Sequence, residues 1–300
     1  MSVSGRVLVT GAAGMLGSQL LLDAPDGVDA IGTDLRAAPD GNPPVAVTGV
    51  DLCDEGAVAR LFEQHGPFSA VLNPAAYTAV DKAEEEPELA DRVNALAPRV
   101  LARAARAAGI PFVQVSTDFV FDGQGTRPYR EDDAVDPLGV YGRTKRGGEE
   151  AALAEHPDGT CVVRTQWLYG PRGQHFPGTM LRLFGERDQL SVVDDQVGSP
   201  TTTLELSPAL WDVLRLDAPA GIWHAACEGQ GSWYDLASAC LEESGRTGVT
   251  ISPCTTDEFP RPAPRPAYSV LDCSKLAELR SRTLKPWRTA LQDFFAAEAS

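Results

Sequence analysis

Val7-Leu8-Val9-Thr10-Gly11-Ala12-Ala13-Gly14-Met15-Leu16-Gly17 is a short apolar run that enters three glycines at intervals of three and continues into helix-favouring residues. The pattern predicts a strand, a tight turn and a helix whose first backbone N–H groups lack partners, which is the arrangement that cradles a phosphate. Gly11 suits the turn, Gly14 the close approach of backbone to a pyrophosphate, and Gly17 the close packing of helix on strand. The spacing is G-x-x-G-x-x-G, which any glycine-rich strand-to-helix turn satisfies, so the stretch alone leaves dinucleotide binding open. A second apolar run, Asp29-Ala30-Ile31-Gly32-Thr33, ends at Asp34, twenty residues after Gly14, where a carboxylate for a ribose hydroxyl belongs.

Outward from there the chain alternates strand and helix patterns. A turn-rich loop, Leu35 to Pro44, leads to an apolar stretch Val45 to Val50 that reads as a third strand. A helix with Val58, Leu61 and Phe62 on one face precedes the unbroken apolar run Ala70 to Asn73. A long alanine-rich helix from Leu89 stops at Gly109, and Phe112 to Ser116 is a strand with Ser116-Thr117-Asp118 at its carboxyl end. A loop from Phe119 to Leu138 is long enough to be functional, and Tyr141 to Ala151 is a helix followed by the strand Cys161 to Thr165. Such alternation predicts an α/β doubly wound parallel sheet, with ligands gathered at the strands' carboxyl ends. Beyond Trp167 the pieces shorten: helices near Met180 to Phe184, Leu204 to Leu214 and Tyr234 to Glu243, a strand Ile222 to His224, an extended Arg261 to Pro266, and a final helix Trp287 to Ala297. We read these as a smaller lobe closing over the strand ends.

Composition narrows the partners. With 26 basic and 42 acidic residues the net charge is −16, and no Lys/Arg-rich run could track a phosphate backbone, so nucleic acid is not expected. The six cysteines (53, 161, 227, 240, 254, 273) and four histidines lack metal-ligand spacing, so neither a metal nor a disulfide framework is expected, which suits a reducing cytoplasm. No eighteen-residue apolar run is present, so no membrane span is expected, and the Val7–Leu22 stretch is too interrupted by glycine for a signal peptide.

Tyr141 and Lys145 lie four apart, on one helical face. An ammonium one turn away would lower a tyrosine pKa that is otherwise about 10. With a hydroxyl from Thr117 these groups describe a carbonyl reduction, in which a nicotinamide gives hydride, Tyr141 the proton, and Lys145 holds the cofactor ribose. The run Asp81, Glu84, Glu85, Glu86 reads as a solvated helix start rather than a metal site, and Trp211, Trp223, Trp233, Trp287 and His224 as packing residues.

The chain resembles the extended short-chain dehydrogenases/reductases, and within them the dTDP-4-dehydrorhamnose reductases. The resemblance is carried by Gly11/Gly14/Gly17, Asn73 to Glu84, Val93 to Pro98, Ser116 to Gly123, Tyr141-Gly142-Arg143-Thr144-Lys145, Arg164 to Gly170, Asp194 to Thr201 and Arg261 to Asp272. It implies a Rossmann-like domain, mainly residues 1–166, with a smaller, interwoven C-terminal substrate lobe, mainly 167–300. It also implies Thr117, Tyr141 and Lys145 as catalytic groups and NADPH or NADH as cofactor. The expected cofactor set is Gly11, Gly14, Met15, Leu16, Asp34, Leu35, Arg36, Asp51, Leu52, Ala75, Ala76, Tyr77, Tyr141 and Lys145. For a nucleotide-diphosphate sugar it is Thr117, Asp118, Phe119, Phe121, Trp167, Gln196, Arg261 and Arg265, the two arginines being either diphosphate anchors or surface spacers. Asn94 is either helix packing or an active-site support. Phe119 stands where tyrosine is usual and Pro74 where alanine is usual, and Gln166 and Val197 also depart, which points to a sugar other than the rhamnose precursor. The rivals are an epimerase or dehydratase that keeps its NAD, and a non-catalytic NADP-binding regulatory subunit. A homodimer is compatible with the chain.

Overall fold

The computed structural model describes residues 4–37, 43 and 46–298. Its centre is a seven-stranded parallel sheet of β1 (Gly5–Thr10), β2 (Val28–Asp34), β3 (Val47–Thr48), β4 (Ala70–Asn73), β5 (Phe112–Thr117), β6 (Thr160–Thr165) and β11 (Gly221–His224). The spatial order is β11-β6-β5-β4-β1-β2-β3, so the chain winds outward from β1 in both directions. Strand pleating sends Val7 and Val9 to one face and Leu8 to the other, and both faces are covered. On the first face lie α1 (Met15–Leu22) and α8 (Thr203–Arg215), joined where the Trp211 indole N–H donates to the Leu20 carbonyl at 3.1 Å. On the second lie α2 (Glu55–His65), α5 (Ala97–Ala108) and α6 (Val140–Glu155), with Val58, Leu61, Leu101 and Ala152 packed inward.

Three expectations are revised. The third strand is only Val47–Thr48, paired with Thr33 and Asp34; Val45, with residues 38–42 and 44 of the preceding loop, lies outside the described residues. The long helix is α4 (Pro87–Asp91), a π-turn Arg92–Leu96 and then α5, ending at Gly109 with φ +67°. The Ile222–His224 strand, expected in the smaller lobe, joins the central sheet beside β6, because its alternation is completed only by a neighbour far back in the chain.

Several of the remaining elements line one cavity with the carboxyl ends of β1, β4 and β5. The remaining elements are the short α3 (Val80–Ala83), β7 (Leu168–Tyr169), α7 (Phe176–Phe184), β8 (Gln189–Val193), β9 (Val197–Gly198), β10 (Thr201–Thr202), β12 (Gly231–Ser232), α9 (Trp233–Glu243) and β13 (Thr250–Cys254). Then come α10 (Ser274–Arg280) and α11 (Trp287–Glu298). The β8–β13 pair is parallel and was not legible in the residue pattern, since its strands are short and more than fifty residues apart. Among the described residues no helix is long and apolar enough to cross a membrane.

Candidate active site

A cavity of about 1420 Å³ runs from the glycine turn, past the end of β5, to α7, β8 and the Arg261–Pro266 segment. At the first end Gly11 has φ +55°, and a Cβ there would lie 2.9 Å from the Ala75 Cα. A Cβ on Gly17 would lie 2.1 Å from the Gly11 carbonyl oxygen, so the helix meets the turn only because residue 17 is glycine. Gly14 caps α1 without a side-chain hydrogen bond, and Gly11, Gly14, Met15 and Leu16 all line the cavity. The cradle that a Cβ would fill, opening on free helix-terminal N–H groups, fits a pyrophosphate.

Asp34 lines the same end, its Oδ2 accepting from the Ala13 N–H at 3.1 Å and its Oδ1 from the Arg36 N–H at 3.2 Å. Leu35, Asp51, Leu52, Ala75 and Ala76 are also on the wall. Arg36 and Tyr77, expected with them, are not. The Arg36 side chain is exposed, while Tyr77 turns away to donate its hydroxyl to Glu86 at 2.7 Å and its backbone N–H to Asn94 at 2.8 Å. Asn94, in the π-turn, also donates to the Tyr77 carbonyl and to the Thr144 hydroxyl, both at 3.1 Å. It thereby ties the Tyr77 backbone to Thr144 of α6.

Thr117 ends β5, and Tyr141 and Lys145 face the cavity from α6. Burial pushes the Tyr141 phenol up to about 12, the Asp118 charge adding to this and the Thr117 hydroxyl opposing it. The expected depression by Lys145 is not found here. The Lys145 Nζ donates to the Val115 carbonyl at 2.6 Å instead, and burial lowers its pKa to about 8 against the opposing pull of Glu149. Asp118 is buried, which raises it to about 6, and it accepts from the Thr117 hydroxyl at 3.0 Å. Phe119 lies edge-on to the Tyr141 ring, centroids 5.6 Å apart.

Beneath these groups is an ion network that no motif announces. Glu149 accepts from Arg164 Nε at 2.8 Å and Nη2 at 2.7 Å, from the Ser116 hydroxyl at 2.6 Å and from Arg146 at 3.0 Å. Phe121, expected at the substrate, belongs to this layer: it is fully buried, stacks on Tyr129 at 4.1 Å and lies under the Arg164 guanidinium at 5.1 Å.

At the far end Trp167, with φ +47°, stacks on Trp233 at 3.7 Å and 8°. Its ring lies so close to Gly198 that a Cβ there would come within 2.6 Å. Trp233, expected as packing, is on the cavity wall, and its indole N–H donates to Gln196 Oε1 at 3.1 Å. Arg261 and Arg265 line this end, and so do Arg187, just before β8, and Ser191 and Ser252 of the β8–β13 pair, which carry no motif in the sequence.

The family model described as RmlD substrate binding domain matches residues 5–300. A dTDP-4-dehydrorhamnose reductase of Streptomyces griseus is 44% identical, over 97% of this chain and 93% of that protein. The chain belongs to the dTDP-4-dehydrorhamnose reductase family. Two solved structures of family members superpose closely. The reductase of Clostridium acetobutylicum is 39% identical with a TM-score of 0.89, and that of Bacillus anthracis, in complex with NADP, is 32% identical with a TM-score of 0.89. Each covers 98% of this chain and 100% of the other.

Proposed function

We propose that this chain reduces the 4-keto group of a nucleotide-linked 4-keto-6-deoxysugar, carried on dTDP, with NADPH or NADH as reductant. One observation carries the reading: Thr117, Tyr141 and Lys145 stand on the wall of a single cavity between a glycine cradle and the Trp167/Arg265 end. The family's reductases and the NADP complex of the Bacillus anthracis member support the substrate class and the cofactor. In this reading residues 1–166 mainly hold the cofactor and 167–300 mainly the sugar nucleotide, with α8 and β11 returned to the central sheet. The free cysteines support a cytoplasmic setting.

The cradle of Gly11, Gly14, Met15 and Leu16 would hold the cofactor pyrophosphate, Asp34 its ribose, and Lys145 the nicotinamide ribose. The bound nicotinamide supplies a hydride for the carbonyl carbon. Tyr141 is a fully protonated phenol at neutral pH and gives its proton to the carbonyl oxygen, which Thr117 orients once its hydroxyl hydrogen turns from Asp118 to that oxygen. Leaving a phenolate in a buried site is unfavourable, and the Lys145 ammonium, one turn along α6, offsets that charge when it leaves the Val115 carbonyl. Phe119 carries no proton to give or take, which supports reduction over the two-group elimination of water. Incubation with NADPH or NADH and a panel of nucleotide 4-keto-6-deoxysugars, followed by nicotinamide absorbance and mass spectrometry, tests the reading. One equivalent of cofactor oxidised per keto sugar is expected. Water loss from a nucleotide-linked glucose with no net change in nicotinamide would overturn it.

A further inference from the structure

The acidic run at 81–86 reads in the sequence as a solvated helix start, but two of its carboxylates fasten separate walls of the site. Asp81, in α3, accepts from Arg265 Nη1 at 2.5 Å and from the Ala263 N–H at 3.2 Å, with Arg261 Nη1 3.9 Å from its other oxygen. Glu84, at the end of α3, accepts from the Val140 N–H at 2.7 Å. Val140 is the first residue of α6, and its cap residue Gly139 offers no side chain for that orphan donor. The two contacts converge: a Cβ on Gly139 would lie 2.7 Å from Glu84 Oε1 and 3.5 Å from Pro264 Cδ. The arginine segment and the helix bearing Tyr141 therefore meet on one short element.

We propose that α3 is a positioning element for the reaction assigned above: Asp81 holds Arg265 where a diphosphate meets it, beside the more exposed Arg261, and Glu84 fixes the first turn of α6 and with it Tyr141. The reading rests on the proposed function. Asp81 could act on the arginines in two opposed ways. As a plain counter-charge it would compete with a diphosphate, and its removal would tighten binding. As a brace it removes arginine rotamer freedom before the ligand arrives, and its removal weakens binding. The geometry favours the brace. Arg265 is only 17% exposed and bonded to both the Asp81 carboxylate and the Ala263 carbonyl, whereas Arg261 is 54% exposed and remains an available arm. For Glu84 the argument is angular: the first turn of α6 carries the proton donor, and small misplacements of a reacting group are expensive in rate.

The test combines calorimetric titration of thymidine diphosphate and NADPH with steady-state kinetics and melting temperatures on the wild type, Asp81→Ala, Glu84→Ala and Glu84→Gln. Asp81→Ala, which removes the acceptor shared by Arg265 and the Ala263 N–H, should weaken thymidine diphosphate binding about tenfold with kcat within about twofold. Glu84→Ala should lower kcat about tenfold with both dissociation constants within about twofold. Glu84→Gln, whose amide oxygen still accepts from Val140, should recover kcat to within about threefold. Unchanged or tighter thymidine diphosphate binding by Asp81→Ala overturns the Asp81 role. Wild-type kcat in Glu84→Ala overturns the Glu84 role, as does a parallel loss of kcat, affinity and melting temperature that Glu84→Gln does not relieve. A wild-type protein that neither binds thymidine diphosphate nor oxidises NADPH with any 4-keto sugar overturns the functional reading itself, and the proposal with it.

Discussion

Replacing Glu149 by glutamine should destabilise the protein more than any exposed ion-pair change, and the structure sets the size. The Glu149 and Arg164 side chains are 0% and 2% exposed and make two hydrogen bonds to each other, with Ser116 and Arg146 completing the acceptor's shell. An amide in place of the carboxylate turns an N–H₂ donor toward a guanidinium donor and leaves the Arg164 charge buried without a counter-charge. Breaking a buried pair by removing one partner costs about 3–5 kcal/mol. At about 2 °C per kcal/mol for a chain of this size, the melting temperature should fall by about 6–10 °C at pH 7. Burial pushes the Glu149 carboxyl up, but the Arg164 guanidinium outweighs this and holds it below its ordinary 4.5. A carboxylate depressed in the folded state stabilises fully above its unfolded pKa and loses that contribution as pH falls through the folded value. The gap between wild type and variant, measured by calorimetry across pH, should therefore hold above pH 4.5 and close in more acid solution. Replacing both partners by leucine should recover most of the loss. A melting temperature for Glu149→Gln within about 2 °C of wild type would refute the reasoning.

Tyr141→Phe should lower kcat by about 10²- to 10⁴-fold while fluorescence titration finds NADPH affinity intact, and retained turnover would remove the residue from the chemistry. Because burial lowers the Lys145 pKa to about 8, its ammonium is lost as pH rises through that value, so NADPH affinity should weaken above it, and Lys145→Met should abolish the dependence. Both oxygens of Asp34 are engaged by backbone N–H groups and Arg36 is exposed, so NADPH and NADH should both serve; a preference beyond about a hundredfold in kcat/KM would show that only one of these side chains acts. Gly198→Ala places a methyl group 2.6 Å from the Trp167 ring, and should raise KM for the sugar nucleotide about tenfold without moving the NADPH dissociation constant.

What the chain's order of residues determined by itself is local. The strand–glycine–helix turn, the i,i+4 pair Tyr141/Lys145 and the Ser116-Thr117-Asp118 strand end were legible because each is specified by spacing within a few residues, and the backbone honours those spacings. Placement of long-range partners was not legible, because nothing near a residue in sequence records what will pack on it. Phe121 reads as a site residue by its motif, yet the Tyr129 ring and the Arg164 guanidinium, 43 residues away, claim its faces. Lys145 reads as the partner of Tyr141, but its hydrogen bond to the Val115 carbonyl on β5 is set by the fold. Trp233 reads as filler until Trp167 stacks on it, and Asp81 reads as solvated until Arg265, 184 residues on, meets it. Periodicity carries burial and secondary structure, while the partner of a charge or a ring is settled only when distant segments close the same cavity and each buried polar group takes the donor or acceptor within reach.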